Sequence, residues 1–115
     1  LVFEAILNGT AQFSHSNIKL PLWLDEYLRW VIVTPDMHRI HHSVEVRETN
    51  SNFGFNLSIW DRMLGTYIHL PGKPQSEIVL GVDEYRRPEE VSFVNLLLMP
   101  AHKVPQSYTN SPQIR

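Results

Sequence analysis

The stretch Thr34-Pro35-Asp36-Met37-His38-Arg39-Ile40-His41-His42 constrains this chain more than any other. It begins as a helix should. Thr34 is a good N-cap, Pro35 suits the first helical position, and Asp36 complements the positive end of the helix dipole. On that helix His38, His41 and His42 stand at i, i+3 and i+4, so their side chains leave from one face. A pair at i, i+4 can close on a single metal ion, and neutral imidazole suits zinc, iron, copper or nickel. His41 and His42 lie ~100° apart around the helix, so one small ion does not take all three comfortably. The tandem pair therefore points one imidazole at a second ion. The chain contains no Cys. That removes disulfides, thiolate sites and thiol nucleophiles together, and leaves His, carboxylate or amide oxygen as ligands.

Other polar residues fall near this helix in sequence. Glu45 lies at i+7 from His38, on the same face, where its carboxylate could orient an imidazole through the second ring nitrogen. His15 falls in the polar stretch Phe13-Ser14-His15-Ser16-Asn17. A histidine in such a break is more commonly a surface residue, but here it is free to reach a shared site. Asn17, Asn50 and Asn52 could serve the same outer shell. His69 and His102 have no partner at ligand spacing and read as structural. Trp60 and Asp61 read as packing and capping residues.

At 115 residues the chain is at most one ordinary domain. Its formal net charge of -2 and lack of a basic stripe argue against nucleic acid as a partner. It begins inside an apolar run, which reads as a piece whose N-terminal part lies upstream. Helices are expected near residues 1–12, ending at Asn8-Gly9, and over 22–33, 57–64 and 91–99. Gly65 is the stop of the third and Pro88-Glu89-Glu90 the start of the last. Residues 48–54 and 71–74 read as loops, 78–82 as a strand or extended connector, and 106–115 as a disordered tail. No run of 18 or more apolar residues qualifies as a membrane span by itself. Residues 20–33 and 91–100 are nonetheless unusually apolar. Trp23, Tyr27 and Trp30 beside Asp25, Glu26 and Arg29 suit a water–lipid interface, although periodicity alone favours an ordinary amphipathic core helix.

Four blocks occur in a fixed order: Phe13-Ser14-His15-Ser16-Asn17, then Thr34-Pro35 running into His38-Arg39-Ile40-His41-His42-Ser43, then Asn50-Ser51-Asn52-Phe53-Gly54, then Ile59-Trp60-Asp61-Arg62-Met63-Leu64-Gly65-Thr66-Tyr67. This order resembles the fatty acid hydroxylase (sterol desaturase) superfamily, over roughly residues 2–100. The resemblance implies a mainly α fold. The chain would be the C-terminal, histidine-box portion of a helical integral membrane enzyme, with short irregular or extended connectors, spanning residues 1–105. It implies non-haem iron, two ions, with His38, His41 and His42 matching the last histidine box and His15 the isolated histidine ahead of it. It also implies O2, an electron-donor protein and a lipid substrate that is hydroxylated or desaturated. The complete protein would sit in the bacterial inner membrane or the endoplasmic reticulum, with the metal site towards the cytoplasm. The family's earlier histidine boxes are absent from this stretch, so the chain by itself is expected to carry half a metal cage and to be inactive.

Two other readings compete with that one. The same histidines could hold zinc in a hydrolase, with Glu45 activating water. Turnover without oxygen would identify it, and the missing glutamate of an H-E-x-x-H box counts against it. A non-catalytic helical interaction module with incidental histidines is the third.

Overall fold

The computed structural model describes residues 1–82, 88 and 91–101. Among them the chain is mainly helical. The helices are α1 (Val2–Ser14), α2 (Leu22–Leu28), α3 (Pro35–His41), α4 (Val46–Thr49), α5 (Ile59–Leu64) and α6 (Phe93–Leu98), with 3-10 turns at Gln75–Glu77 and Met99–Ala101. Among the described residues no strand forms; isolated antiparallel bridges join Ile32 to Leu57 and Ser43 to Leu80. The extended 78–82 segment is thus a connector. Leu1–Leu80 and Gly81–Arg115 are separate compact units.

In the first unit, α1 runs straight through Asn8-Gly9, where the sequence suggested a stop. Bonds within the turn and one distant contact explain this. Asn8 Nδ2 donates to Glu4 O, and the Thr10 hydroxyl lies within hydrogen-bond distance of both Ile6 O and Asn56 Oδ1. A mid-helix glycine costs only about 1 kcal/mol, which such contacts offset. The helix ends instead at Ser14, with His15 as its C-cap. α3 starts as its sequence dictates: Thr34 Oγ1 accepts from Met37 N at 3.3 Å, and Pro35 is in the first turn. α1 packs against α3.

The 22–33 helix is shorter than its periodicity suggests, and it faces the other way. It stops at Leu28 because the next carbonyls bond elsewhere: Arg29 O accepts from Ser58 Oγ and Arg62 Nη2, and Val31 O accepts from Ser58 N. Asp25 and Arg29 are buried and paired at 2.5 Å, and Arg29 Nη1 donates to His69 O. Trp23, Tyr27 and Trp30 are 66–79% exposed. Asp25 and Arg29 are inside and the aromatics outside, so α2 is no ordinary amphipathic core helix.

The inversion extends through the unit. The buried apolar residues are Val33, Met37 and Ile40, whereas Ser14, Asp25, Arg29, Thr34, His38, Ser43, Glu48, Ser51, Asn52, Ser58 and Asp61 are buried and polar. Three apolar side chains supply about 5–9 kcal/mol of burial, so hydrogen bonding must fix the arrangement. Asp61 is its centre. Asp61 Oδ1 accepts from Phe53 N (2.7 Å) and Thr66 Oγ1 (2.6 Å), and Oδ2 accepts from Gly54 N (2.8 Å). Position 54 must be glycine, because a Cβ there would lie 2.6 Å from Leu57 O. Asp61 therefore caps the 53–54 loop, while its neighbour Trp60 does not pack but is mostly exposed. Gly65 closes α5 at φ 73°, as the sequence indicated.

The second unit contains α6. Ser92 is its N-cap, with Oγ accepting from Asn95 N, so the helix starts later than Pro88. Its apolar side chains are exposed. The expected tail at 106–115, the domain limit at 105 and His102 lie outside the described residues. Among the described residues no helix is long and apolar enough to cross a membrane.

Candidate metal centre

The end of α1 and the end of α3 deliver three imidazoles to one point. His15 leaves the C-cap of α1, His38 the middle of α3, and His42 the C-cap of α3. The Nε2 atoms of His38 and His15 are 3.1 Å apart, those of His42 and His15 3.3 Å, and those of His42 and His38 3.0 Å. His38 is buried, whereas His15 and His42 are exposed.

Ring orientation follows from simple donor chemistry. His15 Nδ1 lies 2.9 Å from Ala11 O, and a carbonyl can only accept. The proton therefore sits on Nδ1 and the Nε2 lone pair faces the other rings. A single N–H on one of these nitrogens can serve only part of the triangle, whereas a cation among them would take all three lone pairs. Nitrogens ~2.0–2.1 Å from one ion and about 95–105° apart would show this spacing. The donor set fits a first-row transition metal held by nitrogen ligands.

The electrostatics point the same way. Burial pushes the His38 imidazole down to about 4, and the neighbouring His42, His15 and His41 add to the effect. Burial also lowers His42, with His41 and His15 contributing. A proton is disfavoured here while the neutral, metal-competent form is favoured. A stability consequence follows for the metal-free state. His38 has the lower value folded and the ordinary 6.5 unfolded, so between pH 6.5 and about 4 the unfolded chain binds more protons. Stability should therefore decrease as the pH is lowered from 6.5 to about 4 and level off below that. Chemical unfolding of the complete, metal-stripped protein at pH 7, 5.5 and 4 measures this, and the dependence should weaken in His38→Gln. An unchanged dependence in the variant would refute the assignment.

His41 stands beside this cluster and is not part of it. Its Nδ1 donates to Ser51 O at 2.9 Å, which leaves the Nε2 lone pair available, and its ring stacks 5.6 Å from that of His38. The structure thus separates the adjacent pair, with His42 in the three-nitrogen group and His41 outside it.

The four polar residues read from the sequence as outer-shell candidates go elsewhere. Glu45 is the N-cap of α4 and its carboxylate faces Lys73 Nζ at 3.4 Å. Asn50 Nδ2 donates to Val46 O within its own turn. Asn17 is exposed. Asn52 is fully buried at φ 49°, and its side chain bonds Met37 O, Ile68 O and Ile68 N. It holds α3 and the 52–54 loop together without touching an imidazole. Such a residue is visible in sequence only as an Asn able to adopt left-handed backbone. Sequence reasoning also missed Glu48, whose buried carboxylate accepts from Gly72 N, and Arg62, whose Nη2 donates to Arg29 O. Glu45, the base named by the hydrolytic reading, thus faces Lys73 and not the imidazoles.

The fatty acid hydroxylase family model matches residues 1–66, a stretch that contains His15, His38, His41 and His42. The match ends sooner than the resemblance read along the sequence. Over 46 residues the chain is 50% identical to an ornithine lipid hydroxylase of Rhizobium tropici, covering 40% of this chain and 14% of that protein. Over 53 residues it is 42% identical to an alkylglycerol monooxygenase of Xenopus tropicalis, covering 46% of this chain and 11% of that protein. The chain thus spans a small part of the length of these relatives. No solved structure matches.

Proposed function

This chain belongs to the fatty acid hydroxylase family, and from that premise we propose that the complete protein is an O2-dependent oxidoreductase that hydroxylates an aliphatic C–H of a lipid. The observation that carries the reading is the triangle of Nε2 atoms 3.0–3.3 Å apart on His15, His38 and His42. The names of two relatives, a lipid hydroxylase and a monooxygenase, support the reaction class. His15, His38 and His42 would hold one ion, and His41, with its free Nε2, a second.

Bound there, non-haem iron would supply the oxidising power that no side chain has, converting C–H and O2 to C–OH and water with two electrons and two protons from a donor protein. The protein's own residues supply the rest. The Nδ1–H donations of His15 to Ala11 O and of His41 to Ser51 O fix each ring's tautomer and plane. Asn52 keeps α3 in register with the loop that carries Ser51. The outward Trp23, Tyr27 and Trp30 suit an interface with lipid, and an integral membrane location with the site towards the cytoplasm is part of the proposal.

The test is metal analysis and turnover of the complete gene product purified in detergent. Two iron ions per chain and product formation that stops without O2 are expected. Fewer than two transition-metal ions, or undiminished anaerobic turnover, would overturn the reading.

A further inference from the structure

Within the Trp60-Asp61-Arg62 block Asp61 pins the 53–54 loop, and neither that loop nor the metal centre accounts for Arg62. Its guanidinium carbon lies over two aromatic rings, 4.3 Å from the centroid of Trp30 and 3.8 Å from that of Tyr67. Stacking of this kind holds a planar cation in place without consuming its in-plane donors. Among the described residues Nη2 donates to Arg29 O, and the buried Nε has no acceptor. The guanidinium borders an open cavity of about 250 Å³ lined by Glu26, Trp30, Arg62, Tyr67 and His69. Tyr67 OH and His69 Nδ1 bond each other at 3.1 Å on one wall. Glu26 lines the same space and, among the described residues, forms no ion pair.

We propose that this cavity binds the zwitterionic head group of an amphipathic lipid, with the anionic group on Arg62 and the ammonium on Glu26. Opposite charges that share a pocket without meeting are complementary to a ligand carrying both signs. The size agrees. The cavity is below the ~300–1,000 Å³ that encloses a whole drug-sized ligand, so it suits a head group whose chain lies elsewhere. The position agrees too. Trp30 forms a wall of the cavity and also belongs to the exposed Trp23, Tyr27 and Trp30 surface, where a lipid's polar end would sit. The inference rests on the proposed lipid hydroxylase reading and names the substrate's polar end.

Native mass spectrometry of the complete protein in non-ionic detergent tests it, with three probes: lyso-phosphatidylethanolamine, lyso-phosphatidylglycerol and inorganic phosphate. The wild type should retain one ethanolamine-headed molecule, with a preference of ~3–5-fold over the glycerol head, the range an exposed ion pair supports. Glu26→Gln, an exposed change with no partner to lose, should abolish the preference and keep the anionic contact. Arg62→Gln should weaken both heads roughly 10-fold or more. Equal retention of the two heads by the wild type, or a preference that survives Glu26→Gln, would overturn the proposal. Displacement of the lysolipid by equimolar inorganic phosphate would overturn it in favour of a free-anion site. Metal content is measured on the same samples. Normal metal without head-group preference refutes this assignment alone, whereas absent metal refutes the hydroxylase reading.

Discussion

His38→Ala in the complete protein should lose at least one metal ion per chain and essentially all turnover. His38 is the buried member of the three-histidine group, and its Nε2 is within 3.1 Å of both others. Removing it leaves two imidazoles from different helices, with no shared third nitrogen to bring them together. Outer-shell substitutions already cost ~10–100-fold in metal affinity, and loss of a direct ligand should exceed that. His42→Ala should behave alike. His41→Ala should differ, removing one ion while the group formed by His15, His38 and His42 persists. Asn50→Ala, whose side chain bonds only its own turn, serves as the control and should retain full metal. Plasma mass spectrometry of the purified variants gives the counts. Unchanged metal in His38→Ala would remove the basis for the proposed centre.

The largest stability loss should come from a residue that touches no imidazole. Asp61→Asn keeps shape but replaces one carboxylate oxygen with an NH2 group. Oδ1 could still serve Phe53 N and Thr66 Oγ1, while the new NH2 would face the N–H of Gly54, donor against donor. A lost hydrogen bond to a charged group plus a buried donor without an acceptor amounts to about 2–4 kcal/mol. Asp61→Ala, which leaves three donors without their acceptor, should cost about 3–5 kcal/mol. Against a total of ~5–15 kcal/mol, either is a large fraction. The effect should reach the metal centre as well, because the loop that Asp61 pins follows Ser51, whose carbonyl orients His41. Denaturant unfolding gives the stability and metal analysis the linked effect. A loss under 1 kcal/mol for Asp61→Ala would show that the loop does not depend on this carboxylate.

Much of the local structure was legible because its causes are local. The start of α3 needed only Thr34, Pro35 and Asp36, and Gly65 ended α5 as a left-handed stop. The reach of α1 past Asn8-Gly9 was not legible, since Thr10 meets Asn56, 46 residues away. Periodicity also failed on α2. It measures which residues share a face, and it does not reveal whether that face turns inward. The choice was made by the pairing of Asp25 with Arg29 and by the attachment of Arg29 to Ser58, Arg62 and His69. The same limit explains Glu45. Helical spacing from His38 assumed that α3 continues, but α3 ends at His41 and the chain turns before α4, which carries the carboxylate to Lys73.

The sequence by itself determined that three imidazoles leave one helical face, that no thiolate can join them, and that the four ordered blocks resemble one enzyme family. Helix geometry and residue chemistry are enough for that, since both act over a single turn. Only the tertiary structure decided which imidazoles meet. It brought His15 from the end of α1 to His38 and His42, set His41 aside against Ser51 O, and placed Arg62 over two rings bordering a cavity. Those outcomes depend on where α1, α3 and α5 end and pack, which is fixed by hydrogen bonds between residues far apart in the chain.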